Sequence, residues 1–249
     1  LARLRYHPLE EVRTTANAIE EVLKKSFPSS FNHPIFETTE NYNKEWMQNY
    51  YYYENTKTKN FKMISNKVDK KYLEKYKKIL NNRPIKTELP KELKEAGDMQ
   101  FEFMLDFGSF RDLQRHRAIN QRMPLITDIH GFEEWYIEEL PKALKEKAVQ
   151  FIKKQKDLTD KLNLPKNIKQ YYLPMGYKLP NRISGSLPSL LYMCEIRCTR
   201  FVHPTLRKRA IQIGNKIKEE FKKFNITVHF DKEWDRFDVK RGEHDIVVK

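Results

Sequence analysis

The sequence predicts an α+β fold, with mixed helices around a mostly antiparallel sheet. Two observations carry that reading. Several segments repeat apolar residues at three and four, as helices do, and residues 99–107 alternate apolar and polar side chains, as a strand does. A third bounds it: no low-complexity linker, internal repeat or clear break divides the 249 residues, so they are expected to form one domain over 1–249.

The elements follow in order. Pro8 suits a first turn, and Val12, Ala16, Ile19 and Leu23 mark the buried stripe of a helix over 8–26. Pro28, Ser29, Ser30 and Pro34 break the next stretch, which reads as loop over 27–44. The tyrosines at 50–53 read as a half-buried helix face or strand; base stacking is the alternative. A short basic helix spans 69–80, ended by Asn81-Asn82-Arg83-Pro84. In the strand, Met99, Phe101, Phe103, Leu105 and Phe107 share one face, and Gln100, Glu102 and Asp106 the other, so it is expected to be half-buried. Gly108 closes it. Ser109 with Asp112 three residues on resembles a capping box for a new helix, which puts Arg115-His116-Arg117 on that helix's second turn. Pro141 opens a long helix over 142–163, where Leu144, Ala148, Phe151, Gln155, Leu158 and Leu162 keep heptad spacing. Helices over 188–202 and 204–224 follow, the latter with Ala210, Ile213, Ile217 and Phe221 as its buried stripe. The tail, residues 226–240 and 244–249, reads as two or three strands.

Charge narrows the partners. Lys and Arg number 48 against 34 Asp and Glu, a net charge of +14, which favours anionic partners. No window of about 18 apolar residues is present, so no membrane span is expected, and no leader pattern opens the chain. Cys194 and Cys198, four apart, read as two packed, reduced thiols, which fits a cytoplasmic protein. The seven histidines show no metal-ligand spacing, and Glu243-His244-Asp245 reads as a polar turn. Neither a Walker loop, a Gly-x-Gly-x-x-Gly nor a Gly-x-Ser-x-Gly occurs, which disfavours Rossmann and P-loop nucleotide sites.

Arginines are the better guide, because their planar fork suits phosphate and carboxylate. Arg115, His116 and Arg117 either surround an extended anion such as a dinucleotide diphosphate or pair with neighbouring carboxylates; both use the same fork geometry. A second cluster holds Arg197, Arg200, Arg207, Lys208 and Arg209. Arg197 lies inside the apolar LLYMCEIRC, and a buried arginine needs a partner. Glu195 faces elsewhere on a helix, so a bound anion or a distant carboxylate is expected to supply it.

At these residues the chain resembles the flavin-dependent thymidylate synthases. The shared order is a strand, turn and Arg-His-Arg (FEFMLDFGSFRDLQRHR), then Leu173-Pro174, Arg197 in LLYMCEIRC, and the helix HPTLRKRAIQIGNKI. It covers roughly residues 88–224, the expected core, with 225–249 as a strand extension. Departures are clear. The family continues with Ser, Asn-Glu, Ser and Arg-Tyr, where this chain has Asn120, Arg122, Met123 and Leu125. Ser186 and Pro188 stand where the family carries flavin-contacting Asn and Arg, and Gln170 replaces an arginine before Leu-Pro. Tandem relatives with two fused copies match better: Arg111, Asp112, Gln114, Arg115, His116, Arg117, Gln121, Leu125, Gly131 and Phe132 all follow their pattern, and the opening LARLRYHP resembles a domain start.

The resemblance implies a flavoprotein methyltransferase of nucleotide biosynthesis. FAD would take hydride from NADPH, and methylenetetrahydrofolate would supply the carbon that converts dUMP, or a related pyrimidine nucleotide, to its 5-methyl form. It implies Arg115, His116 and Arg117 along the flavin, Arg197 as the catalytic group that polarises the uracil, and Arg111, Gln114, Gln121 and Arg197 around the nucleotide. It also implies a homo-oligomer with shared sites, or pairing with a second family domain. Two alternatives stand beside it: a degenerate, non-catalytic member serving as a structural or regulatory half, and a basic nucleic-acid binder.

Overall fold

The computed structural model describes residues 1–55, 61–85 and 87–238. Among them run, in chain order, α1 (Glu10–Ser26), α2 (Pro28–Phe31), α3 (Glu37–Asn49), β1 (Phe61–Asn66), α4 (Lys70–Leu73), α5 (Lys77–Asn81), β2 (Asp98–Asp106), α6 (Phe107–Leu113), β3 (Asn120–Arg122), α7 (Trp135–Glu138), α8 (Lys142–Lys161), α9 (Lys166–Lys169), β4 (Lys178–Ser186), α10 (Leu187–Arg197) and α11 (Pro204–Glu220). The expected α+β class holds. The four strands form one sheet in the order β1-β2-β4-β3, every pair antiparallel.

β2 and β4 pair along their whole length, from Asp98 opposite Ser186 to Asp106 opposite Lys178. Each runs straight into a helix, β2 into α6 and β4 into α10. Because the strands are antiparallel, α6 and α10 begin at opposite ends of the sheet. α6 then carries the chain back, and β3 re-enters at Asn120 opposite Ser184, three residues before α10 begins. The 114–119 loop is thereby delivered to the first turn of α10.

Helices α10 and α11 pack on the sheet and on each other. Phe101 and Phe103 of β2, Ile183 of β4, Leu190 and Met193 of α10, and Ile213 and Ile217 of α11 are all sealed from solvent in one core. Burying such side chains contributes about 1.5–3 kcal/mol each. The stripe Ala210, Ile213, Ile217 and Phe221 is buried as the sequence predicts.

Several expectations need correction. Residues 27–44 are not loop: α2 and most of α3 lie there. α1 buries Ala16 but leaves Ile19 45% exposed, and buries Glu20 instead, because the Arg5 guanidinium holds that carboxylate at 2.8 Å. The basic helix over 69–80 is two short helices joined by a 3-10 turn over Glu74–Tyr76, opened by the Asp69 carboxylate. The tyrosines at 50–53 are neither helix nor strand; Tyr50 and Tyr51 are exposed, Tyr52 is half-buried and Tyr53 is buried. α10 ends at Arg197 rather than 202, and α11 gives way after Glu220 to a 3-10 turn. Residues 226–238 contain no strand, and residues 239–249, with the second expected tail strand and the His244 turn, lie outside the described residues.

β2 is buried on both faces, not one. Its carboxylates are therefore partnered, since a buried charge without a partner costs several kcal/mol. Glu102 accepts from Arg182 at 3.0 Å and from the Tyr53 hydroxyl. The Tyr53 ring in turn lies 5.0 Å from the Arg182 guanidinium and 5.3 Å from that of Arg122. Burial, and then the Glu102 carboxylate, push the Tyr53 phenol up to about 12.

Candidate functional site: a cationic groove at the start of α10

Asp106, the last residue of β2, caps α6 by accepting from the Ser109 N–H at 2.9 Å. Sequence spacing gave that cap to Ser109. With the cap three residues earlier, α6 ends at Leu113, and Arg115-His116-Arg117 lie in the loop beyond it rather than on a second helical turn. Internal hydrogen bonds shape the loop: His116 N to the Leu113 carbonyl at 3.1 Å and Ile119 N to the His116 carbonyl at 3.0 Å. Gln121, on β3, ties it to the sheet, its amide nitrogen donating to the Leu113 carbonyl at 2.8 Å and the His116 carbonyl at 3.0 Å.

The loop forms one wall of a groove of about 200 Å³. Pro188, Ser189 and Tyr192 of α10 form a second wall, and Glu88, Leu89, Lys91 and Lys94 a third. Lys91, Lys94, Arg115 and Arg117 thus surround it with four cations against the single carboxylate of Glu88. α10 adds the positive end of its dipole at its first turn, where Ser186 makes no side-chain cap. Arg115 also lies 3.5 Å from Asp112, but its side chain is largely exposed, so that pair is worth little.

His116 lines the groove and is held from behind by Arg197. The Arg197 Nε donates to His116 Nε2 at 2.8 Å, and another guanidinium nitrogen donates to the Asp112 carbonyl at 2.8 Å. Accepting at Nε2 makes the imidazole neutral, with its proton on Nδ1. Burial, and then the Arg197 charge, hold its pKa down to about 4, against the opposing pull of Asp112. Arg197 is buried, as its apolar context predicts. These two partners of its side chain are an imidazole and a peptide carbonyl, neither the anion nor the carboxylate the sequence suggested.

The sequence-predicted residues divide. Arg115, His116 and Arg117 meet in the groove, with Pro188 at its far wall. Arg197 does not line the groove itself and donates to His116, which does. Arg111 is exposed on α6, 3.7 Å from the Met175 sulfur, and Gln114 is exposed at the helix end; neither lines the groove. Gln121 lies behind the loop. Lys91, Lys94, Ser189 and Tyr192 were not singled out by sequence; only the general lysine excess pointed that way.

Three arginines of the second basic cluster are held by the protein's own groups. Arg200 pairs with Asp231 at 3.4 Å and with Glu233, Arg207 donates to the Arg236 carbonyl, and Arg209 donates to the Met104 carbonyl at 2.8 Å. Ser109, His203 and Asp106 also come close, but not as a nucleophile triad. Thr205 stands between them, donating to Asp106 at 2.6 Å, and no contact joins the carboxylate to the imidazole. Tyr136 adds a third donor to Asp106 at 2.9 Å, so this cluster locks α6 to α11. Cys194 and Cys198 are buried thiols, and burial pushes Cys198 up to about 11. Among the described residues no helix is long and apolar enough to cross a membrane.

No family profile matches this chain. Relatives are found among proteins named UPF0159, a designation that states no activity. The one from Thermoplasma acidophilum is 29% identical over 151 residues, 59% of this chain and 29% of its own length. That from Chlamydia pneumoniae is 27% identical over 133 residues, 53% of this chain and 24% of its own length. A third, from Chlamydia muridarum, is 26% identical over 126 residues, 49% of this chain and 23% of its own length. The chain is therefore similar to UPF0159 proteins over about half its residues, and the matched segment is about a quarter of those relatives' length.

Proposed function

We propose that this chain binds the diphosphate of a flavin dinucleotide in the groove at the start of α10, and contributes that half-site to thymidylate synthase-like methylation of dUMP with FAD, NADPH and methylenetetrahydrofolate. One observation carries the reading: Arg115 and Arg117, set in a loop, share one groove with Lys91, Lys94 and the first-turn residues Pro188 and Ser189 of α10. A helix N-terminus ringed by cations is a ready anion site. The groove of about 200 Å³ suits a diphosphate, but is below the roughly 300–1,000 Å³ typical of sites that enclose a whole organic ligand. A second copy or a second family domain would then complete the walls, as the resemblance implies. When bound, the flavin supplies the hydride chemistry. The chain's own residues bind and orient the phosphates, and Arg197 positions His116 at the groove wall.

A second reading, a binding or structural half without turnover, has its own support. Two residues expected around the nucleotide, Gln121 and Arg197, are engaged with the protein's own carbonyls and imidazole. The test is the visible absorption spectrum of the purified protein before and after adding FAD. Bound flavin, weakened at least tenfold by Lys94→Glu with Arg117→Glu, is expected. No flavin spectrum after addition of FAD, or unchanged affinity in the double variant, would remove the groove from the reading. Deoxyuridylate-dependent flavin oxidation then separates the enzyme from the non-catalytic half.

A further inference from the structure

Of the six residues that keep heptad spacing along α8, the structure leaves four exposed. Leu144, Phe151, Leu158 and Leu162 are 45%, 68%, 55% and 37% exposed. The helix is held to the protein by its neighbouring edge: Ile152 packs on the small cluster of Ile126, Tyr177 and Leu179, and Thr159 is buried. Gln155 donates to Thr159 at 3.0 Å and to the Tyr172 carbonyl. The outward seam runs about 27 Å, five turns of helix. Leu144, Phe151 and Leu158 recur every seven residues, with Ala148 and Leu162 beside them, and such heptad spacing is the pattern that a second helix covers by knobs-into-holes packing.

The edges of the seam say which helix. Lys147, Lys154 and Lys161 recur at intervals of seven along the open edge. The other edge, Lys145, Ile152 and Thr159, faces the protein and carries no carboxylate. A second copy of α8 would therefore meet lysine with lysine if antiparallel, and would bring no acidic partner if parallel. We infer that this face docks an amphipathic helix of a partner protein, one whose apolar seam is edged by Asp or Glu. Lys147, Lys154 and Lys161 set the choice of partner, and Phe151 fills the centre of the contact.

The test uses the full chain and two synthetic four-heptad peptides with the same apolar seam, one flanked by Glu and one by Lys. Binding is read by fluorescence anisotropy, and the state of the chain alone by sedimentation. The Glu-flanked peptide is expected to bind at least tenfold more tightly than the Lys-flanked one. Phe151→Glu should abolish that binding, and K147E/K154E/K161E should reverse the preference, with unchanged far-UV circular dichroism because these side chains are exposed. Equal or absent binding of both peptides would overturn the inference. So would a dimer of the chain alone that Phe151→Glu dissolves, since the occupant would then be a second copy.

Discussion

Glu195→Ala should be one of the most damaging single changes in the chain. Glu195 sits on α10 two residues before Arg197 and pairs with Arg83; their side chains are 1% and 3% exposed. The contact is two-pronged, with a second guanidinium nitrogen at 3.0 Å from the other carboxylate oxygen. Glu195 also accepts from the His229 N–H at 2.8 Å, and the His229 imidazole meets the Arg83 carbonyl at 2.8 Å. Truncation leaves a buried guanidinium with the carbonyls of Thr87 and Thr227 in place of a counter-charge. Breaking a buried pair from one side costs about 3–5 kcal/mol, a fifth or more of the roughly 5–15 kcal/mol that holds a domain folded. For a chain of this size that is a fall in Tm of about 6–20 °C. Urea and thermal unfolding followed by circular dichroism would measure it. Replacing both partners, Arg83→Met with Glu195→Leu, removes the stranded charge and should recover at least half the loss. A cost below about 1 kcal/mol for Glu195→Ala, or a double variant as weak as the two single losses summed, would refute the argument.

Three further outcomes follow from the groove. His116, held down to about 4 in the fold and titrating near 6.5 when unfolded, stays neutral in the native chain through that window. The unfolded chain therefore binds the extra proton, so the stability from the neutral ring is complete above pH 6.5 and is lost as pH falls toward 4. His116→Gln should flatten the fall in urea midpoint between pH 7 and 4.5 relative to the parent; matching slopes would remove the assignment. Gln121→Leu keeps the size of the side chain but frees the carbonyls of Leu113 and His116, so FAD affinity should drop severalfold with a stability loss of about 1–3 kcal/mol; unchanged affinity would show that the loop needs no tether. Arg197→Ala should abolish any dUMP turnover and raise the His116 pKa seen by NMR, because the neighbouring cation is gone; normal turnover would end its role in positioning His116, and an unmoved pKa its contact with the imidazole.

What the sequence could show followed from local pattern. β2, α8 and α11 are long segments whose apolar residues repeat at one period, and α10 is a long apolar run, so they were legible. β4 was not, since Lys178–Ser186 carries Pro180 and alternates Leu179 and Ile183 with Asn181 and Gly185 on the same face. β3 is three residues long and exists only through its pairing with β4. α3 reads as polar because it buries Asn43 and Met47 alone. The exposed seam of α8 was legible as a heptad, but no periodicity states whether the surface that meets it belongs to the same chain.

The site itself turned on one choice of cap. Both Asp106 and Ser109 are good caps by residue type. Asp106 wins because it is the last residue of a strand buried on both faces, so its carboxylate must be satisfied, and the Ser109 N–H, Thr205 hydroxyl and Tyr136 hydroxyl all reach it. A Ser109 cap would have carried Arg115, His116 and Arg117 on a helix, about 100° apart, able to face one anion only if it were large. Capped at Asp106, α6 runs only to Leu113, where Arg197 and Gln121 take the Asp112 and Leu113 carbonyls, and the three residues lie in a loop whose side chains line one wall of a groove. The buried Asp106 carboxylate sets where α6 starts, and Arg197, reaching from α10 to the Asp112 carbonyl and to His116, holds the loop after it; both are tertiary facts that no window of sequence around Arg115 contains.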